Sequence, residues 1–161
     1  DGGIIGGPVS PTASPTVLHL SGPASAAVAA LFIGSPLQTR IVSDQIGAAS
    51  ALKMAFAAYS KGSTALLSAI LAVAEAEGVR SQLEQQWGAR FTEETHTRVS
   101  SNTAKAWRFS GEMEEIAATF AGAGLADGFH RAAADTFRRL STFKDRPAPD
   151  IETVIQQLLR R

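Results

Sequence analysis

The rhythm of apolar and polar positions changes near residue 44. Before it, short alternating runs are separated by glycine and proline; after it, apolar residues recur every three or four positions almost to the end. "TVLHLSG" (16–22) alternates, carries β-branched residues and stops at Ser-Gly, so it predicts a short strand. "PASAAVAALFIG" predicts a helix opened by proline and closed by glycine, and "LQTRIVSD" (37–44) a second strand. The glycine- and proline-rich start, 1–16, predicts a turn-rich loop with a strand end at "GGII". Ser43 or Asp44 is placed to cap the next helix.

That helix is the longest feature of the chain. It is predicted over 45–77, about 50 Å at 1.5 Å per residue, with Gly78 as its C′ residue. "VRSQLEQQWGARF" predicts a shorter helix, followed by a polar link, "TEETHTRVSSNT". Helices are then expected in "AKAWRFSGEMEEIAATFAGAG", in "ADGFHRAAADTFRRLS" and, beyond the breaker "KDRPAPD", in "IETVIQQLLRR". Asp150 is the expected N-cap of the last, and its two terminal arginines suit the negative end of the dipole. The fold class is therefore mainly α, a long helix plus a C-terminal helical bundle, preceded by a short β-α-β piece. Residues 1–44 read as the end of an α/β domain and 45–161 as an all-α domain.

The long helix holds a puzzle. It is apolar almost all round, yet Lys53 and Lys61 stand in its middle with no acid until Glu75. An unpaired ammonium in an apolar interior is costly. On a helical wheel Ser50, Lys53, Ala57, Ser60, Lys61, Thr64 and Ser68 form one narrow face. A stripe of small Ser and Thr with two lysines predicts the lining of a cleft or wet interface. A solvated face is the alternative, although it would normally use Glu-Lys pairs and longer polar side chains.

Composition narrows the classes. Apolar residues make 45% of the chain and charged ones 19%, as in a folded globular protein. Fifteen basic residues balance fifteen acidic ones, so neither nucleic acid nor an anionic membrane is an expected partner. There is no cysteine, which excludes disulfides and thiolate sites and fits a cytoplasmic location. The apolar stretches are interrupted by Ser, Lys and Glu, and no membrane span or signal peptide is expected. The opening, without methionine, reads as the inside of a longer protein.

Three smaller features carry potential chemistry. The glycines of "DGGIIGGP" would let a ligand approach backbone N–H groups, a plain turn being the other reading. In "RFSGEMEEIAATF", Arg108 and Glu112 stand four apart while Glu112 and Glu115 share a face, an ion-paired surface or a carboxylate pair. In "FHRAAADTFRRL", Phe129 and Phe137 should face a core, and His130 with Arg131 could hold an anion. The histidines are isolated, so no metal site is expected. Trp87 and Trp107 read as packing residues.

"DGGIIGGP", two short strands and then "GAASALK" at the head of a long helix resemble the β-hydroxyacid dehydrogenase superfamily, which includes the 6-phosphogluconate and 3-hydroxyisobutyrate dehydrogenases. Asp1, Gly6 and Gly7 match that family's D-x-x-x-x-G-G segment, and Gly47 and Lys53 its G-x-x-x-x-x-K segment. "WRFSGEMEEIAATFAGAGL" resembles the C-terminal domain of phosphogluconate dehydrogenase-like proteins, and the likeness covers roughly residues 1–140. It implies that residues 1–44 are the remnant of a Rossmann-type domain whose larger part, absent here, binds NAD or NADP. It also implies that the long helix is interdomain, that the helical part forms a substrate cleft for a small molecule, and that the protein is a homodimer. By that resemblance Lys53 is the catalytic acid/base, and Gly6 and Gly7 offer N–H groups to a substrate carboxylate. Ser50, Ala57, Ser60 and Lys61 complete the substrate face.

The family pattern is broken at three places. Ile5 stands where Ser often precedes the glycine pair, Ala57 where Asn often follows the lysine, and Glu114-Glu115 where a Lys-Asp pair is common. Each change removes a group that binds a small hydroxy acid, so Tyr59, Ser60 or Lys61 would have to substitute. The expected function is the substrate-binding part of an oxidoreductase acting on a β-hydroxy acid or related carbonyl compound, inactive without its Rossmann domain. An imine reductase-like enzyme and a non-catalytic helical dimerisation or ligand-binding module are the alternatives.

Overall fold

The computed structural model describes residues 1–9 and 16–160. Residues 10–15 of the expected N-terminal loop, and Arg161 of the expected terminal arginine pair, lie outside the described residues. The protein is mainly α, as its periodicity predicts: a small three-stranded sheet is followed by a long helix and a run of shorter ones. Two compact units divide at Phe56/Ala57, within the long helix.

In the first unit, β1 (Gly2–Ile5) pairs antiparallel with β2 (Val17–Ser21). β2 passes through α1 (Ser25–Ala30) to the parallel strand β3 (Gln38–Ser43), giving the order β1-β2-β3. The expected strand-helix-strand piece is thus a parallel β-α-β unit, with "GGII" as an added antiparallel strand.

Helix α2 (Ala48–Ala76) begins after Gly47, whose φ of 97° lies in the left-handed region. The expected caps, Ser43 and Asp44, do not close it. Ser43 Oγ instead accepts from the Gln45 N–H. The first-turn amides of α2 are taken by residues distant in sequence: Ala49 N donates to Ser21 Oγ at 3.0 Å and Ser50 N to Asp1 Oδ2 at 3.0 Å. Ser21 Oγ donates in turn to Asp1 Oδ2 at 2.8 Å, and Ser50 Oγ to Asp1 Oδ1 at 2.6 Å. One carboxylate and one hydroxyl thus satisfy donors that would otherwise be orphaned, and the negative charge sits at the positive end of the helix.

The other end of α2 follows the sequence reading. Gly78 N donates to Glu75 O and Val79 N to Ala74 O, the two bonds of a Schellman closure, with Gly78 at φ 69°. By length and mean hydropathy α2 would also suffice to cross a membrane, against the expectation from sequence; 44% of its most apolar stretch is buried within the protein.

The second unit contains the rest of α2 and a helical bundle. One correction concerns residues 79–103. The expected single helix breaks at Gly88 (φ 77°) into α3 (Arg80–Trp87) and α4 (Ala89–Thr103), so the supposed polar link is helical. Its Ser and Thr content gives it a loop-like composition. Thr95, Val99 and Thr103, spaced by four, nevertheless form one buried face, and Thr103 Oγ1 satisfies itself on Val99 O at 2.9 Å.

α5 (Ala106–Gly122) and α6 (Gly128–Arg139) supply the aromatic centre of the core, with Phe109 edge-on to Phe137 at 5.4 Å beside buried Met113 and Ile116. Phe137 is buried as expected, whereas Phe129 is half exposed, its ring edge lying over Gly62 of α2. Trp87 packs edge-on against Phe91, and Trp107 lies partly exposed under the Lys144 ammonium. A short 3-10 turn (Ser141–Phe143) leads to α7 (Ile151–Leu159), whose expected cap Asp150 accepts from Thr153 N at 2.7 Å. That hydrogen bond holds the Asp150 carboxyl below the usual carboxylate range.

β1 lies against the first turns of α2 at Gly3. A Cβ there would stand 2.7 Å from the Ala49 carbonyl oxygen and 3.2 Å from Lys53 Cβ, and backbone cannot move aside cheaply. Gly3→Ala is expected to cost about 1–3 kcal/mol. A urea midpoint equal to that of the parent would contradict this packing.

Candidate active site

The two lysines of α2 have different surroundings. Lys61, in the second unit, is not unpaired: its Nζ donates to Glu112 Oε1 of α5 at 2.8 Å and stands 5.1 Å from the centroid of the Phe109 ring. Both side chains of the pair are about one-fifth exposed. Glu112 therefore takes its cation from α2 and not from Arg108 four residues earlier, the pairing the sequence offered. Arg108 instead lies over the Phe109 ring.

Lys53, in the first unit, is half-buried one turn beyond Ser50, with its Cβ against Gly3 of β1. Among the described residues its ammonium makes no ion pair, hydrogen bond or ring contact, in contrast to Lys61. Ser50 is committed to Asp1 through both its amide and its hydroxyl. Gly6 has φ 129°, and a Cβ there would meet Thr16 Cα at 2.9 Å, so its lack of a side chain serves the backbone turn first. Gly7 has open space where a side chain would stand, and its carbonyl accepts from Thr16 Oγ1.

Within the second unit the polar stripe is internal. Ala57 is buried and offers no polar group, and Thr64 and Ser68 are each 2% exposed. Arg98 of α4 docks on the stripe: its Nε donates to Thr64 Oγ1 at 2.8 Å, and its Nη2 to Ser60 O at 2.6 Å and Ser63 Oγ at 2.5 Å. Small hydroxyl residues on α2 thus receive a guanidinium from a neighbouring helix. Here the solvated face and the open cleft are both replaced by a helix-packing contact. Of the sequence-predicted residues, Gly6, Gly7, Ser50 and Lys53 fall in the first unit, and Ala57, Ser60 and Lys61 in the second. Tyr59 is exposed.

Two groups escaped the sequence reading. Arg98 was hidden in a run that looked like a loop, and Asp1 matched a family motif without any indication that it caps α2. The other titratable cluster does not form the expected anion site. Arg131 is held by Asp127 at 2.7 Å and approaches Glu114 at 3.5 Å, which raises the guanidinium and lowers the Asp127 carboxyl from their ordinary values. His130 is buried, its ring 4.1 Å from the centroid of Phe120, and its Nδ1 has no partner among the described residues. Among those residues no three His, Cys, Asp or Glu converge as metal ligands.

Residues 74–140 match the family model described as "Domain of unknown function (DUF1932)". No curated protein matches the chain. Among solved structures, a conserved hypothetical protein from Sinorhizobium meliloti 1021 is similar at a TM-score of 0.72 and 25% identity, over 92% of this chain and 52% of its own. The conserved protein MTH1747, of unknown function and described as structurally similar to 3-hydroxyacid dehydrogenases, is similar at a TM-score of 0.63 and 24% identity, over 89% of this chain and 57% of its own. The chain thus spans little more than half the length of the structures it matches.

Burial pushes the His130 imidazole below its ordinary value, against a smaller opposing pull from Asp127. The unfolded chain therefore binds this proton more readily than the folded one, and the folded state loses stability as pH falls below about 6.5. His130→Phe should show a smaller drop in denaturation midpoint between neutral and mildly acidic pH than the parent. Equal drops would remove His130 from the acid response. Residues 74–140 of this helical chain thus match DUF1932, and its fold is shared with a protein described as structurally similar to 3-hydroxyacid dehydrogenases.

Proposed function

We infer that this chain is the substrate-binding and dimerising part of a cytoplasmic NAD(P)-dependent oxidoreductase that acts on a β-hydroxy acid or related carbonyl compound, and that Lys53 is its acid/base. The observation that carries the reading is the contrast between the lysines. Lys61 has Glu112, while Lys53 is half-buried beside β1 without a counter-charge among the described residues. An ammonium in such a position can pass a proton to a carbonyl oxygen as it becomes an alkoxide, or its conjugate amine can take one from a hydroxyl. The likeness to a protein described as similar to 3-hydroxyacid dehydrogenases supports this chemistry.

The described residues do not supply a dinucleotide cradle. The turn from β2 to α1 is Ser21-Gly22-Pro23, with one glycine where the phosphate loop needs a G-x-G-x-x-G run. NAD or NADP, which supplies or accepts the hydride when bound, is therefore assigned to a part of the parent protein outside this chain. What this chain contributes is the proton at Lys53 and the backbone N–H groups of Gly6 and Gly7 for a substrate carboxylate.

The homodimer reading has its own support. Phe56, Tyr59, Leu66 and Val73 of α2 recur at helical spacing and are each about half exposed or more, an apolar stripe that a second subunit would cover.

The test is NAD(P)H oxidation by the parent protein with β-keto acids, sugar-acid ketones and cyclic imines. Lys53→Met should lower turnover by about 10²-fold or more, within the range of general acid–base catalysis. A loss below about tenfold would take the proton-transfer role from Lys53. Sedimentation of the same protein as a monomer would remove the dimer from the proposal.

A further inference from the structure

α7 buries one side and turns the other to a groove. Ile151, Val154, Ile155 and Leu158 are buried in the bundle. On the opposite side Gln156, Gln157 and Arg160, with Phe143 and Arg146 from the preceding turn, line a cavity of about 580 Å³. That volume falls within the range of small-molecule sites.

The charges around this groove are unbalanced. Its one acid, Glu152, is engaged by Arg80 Nη2 at 2.9 Å. Arg146 and Arg160 have no carboxylate, hydrogen-bond acceptor or aromatic ring as partner among the described residues. The other described arginines of the second unit all have one. Arg80, Arg90, Arg131, Arg138 and Arg139 pair with carboxylates. Arg98 donates to three oxygens, and Arg108 lies over Phe109. The only two described arginines of this unit without a partner therefore line the same groove.

Guanidiniums without counter-charge present planar donor forks suited to phosphate or carboxylate oxygens. The remaining polar lining is neutral. Gln157 Nε2 donates to Arg139 O at 3.1 Å, which fixes its amide and leaves its carbonyl oxygen as an acceptor. A groove of this size is larger than a bare anion requires, and its neutral polar groups suit a hydroxyl-bearing or amide-bearing body.

We propose that the groove between the 3-10 turn and α7 binds a small polar molecule carrying a doubly charged oxyanion, held by Arg146 and Arg160. The site needs no nicotinamide and does not rest on the oxidoreductase reading.

The test is titration of the protein with inorganic phosphate and, separately, with succinate, at ionic strength held constant with chloride, read by calorimetry. Saturable binding of at least one probe is expected, weakened about tenfold or more in Arg146→Gln and in Arg160→Gln, since each removes a charge-assisted hydrogen-bonding group. Arg108→Gln, outside the groove, should bind as the parent does. Preference for phosphate would assign a phosphoryl group to the ligand, and preference for succinate a dicarboxylate. All three arginines are exposed, so the variants should keep the parent's circular dichroism. No saturable binding of either probe, or equal binding by the parent and both groove variants, would overturn the proposal.

Discussion

The start of α2 is held by a carboxylate nearly fifty residues away in sequence. Asp1 receives the amide and hydroxyl of Ser50, and Ser21 links Asp1 to the amide of Ala49. This junction ties β1, β2 and α2 together in the first unit, and it brings Gly3 against the turn that carries Lys53. A cap of this kind contributes about 1 kcal/mol per satisfied donor. Its larger consequence is positional. With β1 fixed on the first turn, Lys53 emerges half-buried beside a strand, with no carboxylate among the described residues to neutralise it.

Further along the same helix, polar residues do different work. Ser60, Ser63 and Thr64 receive Arg98, and Lys61 receives Glu112, so α4 and α5 are each joined to α2 by a charged side chain. Small hydroxyl residues let the guanidinium reach α2 and satisfy it on oxygens without a full counter-charge. A continuous polar stripe on a helical wheel thus divides into two regions with separate roles. The first holds a lysine unpaired among the described residues, and the second binds helices to each other.

The elements were largely legible because their boundaries rest on local chemistry. Gly78 closes α2 and Asp150 opens α7 through bonds spanning only a few residues, and such signals can be read from composition. The start of α2 was misread for the opposite reason: Ser43 and Asp44 are adjacent, but the groups that cap it come from Asp1 and Ser21. The polar run 92–103 was misread because hydroxyl residues are as common in loops as on a tightly packed helix, and only the spacing of Thr95, Val99 and Thr103 distinguishes the two. At the site, the sequence identified both lysines as anomalous. Only the family resemblance set Lys53 apart; the helical pattern alone could not, since Glu112 lies 51 residues from Lys61 and competes on paper with Arg108.

The central claim is that Lys61 holds the fold together while Lys53 does not. The most direct measurement is chemical denaturation of Lys61→Met and Lys53→Met side by side. Lys61→Met should lose about 1.5–3 kcal/mol, because it removes a charged hydrogen bond and leaves the Glu112 carboxylate half-buried. Lys53→Met should unfold at the parent's midpoint or slightly above it. Equal destabilisation by the two substitutions, or a larger loss at Lys53, would contradict the account.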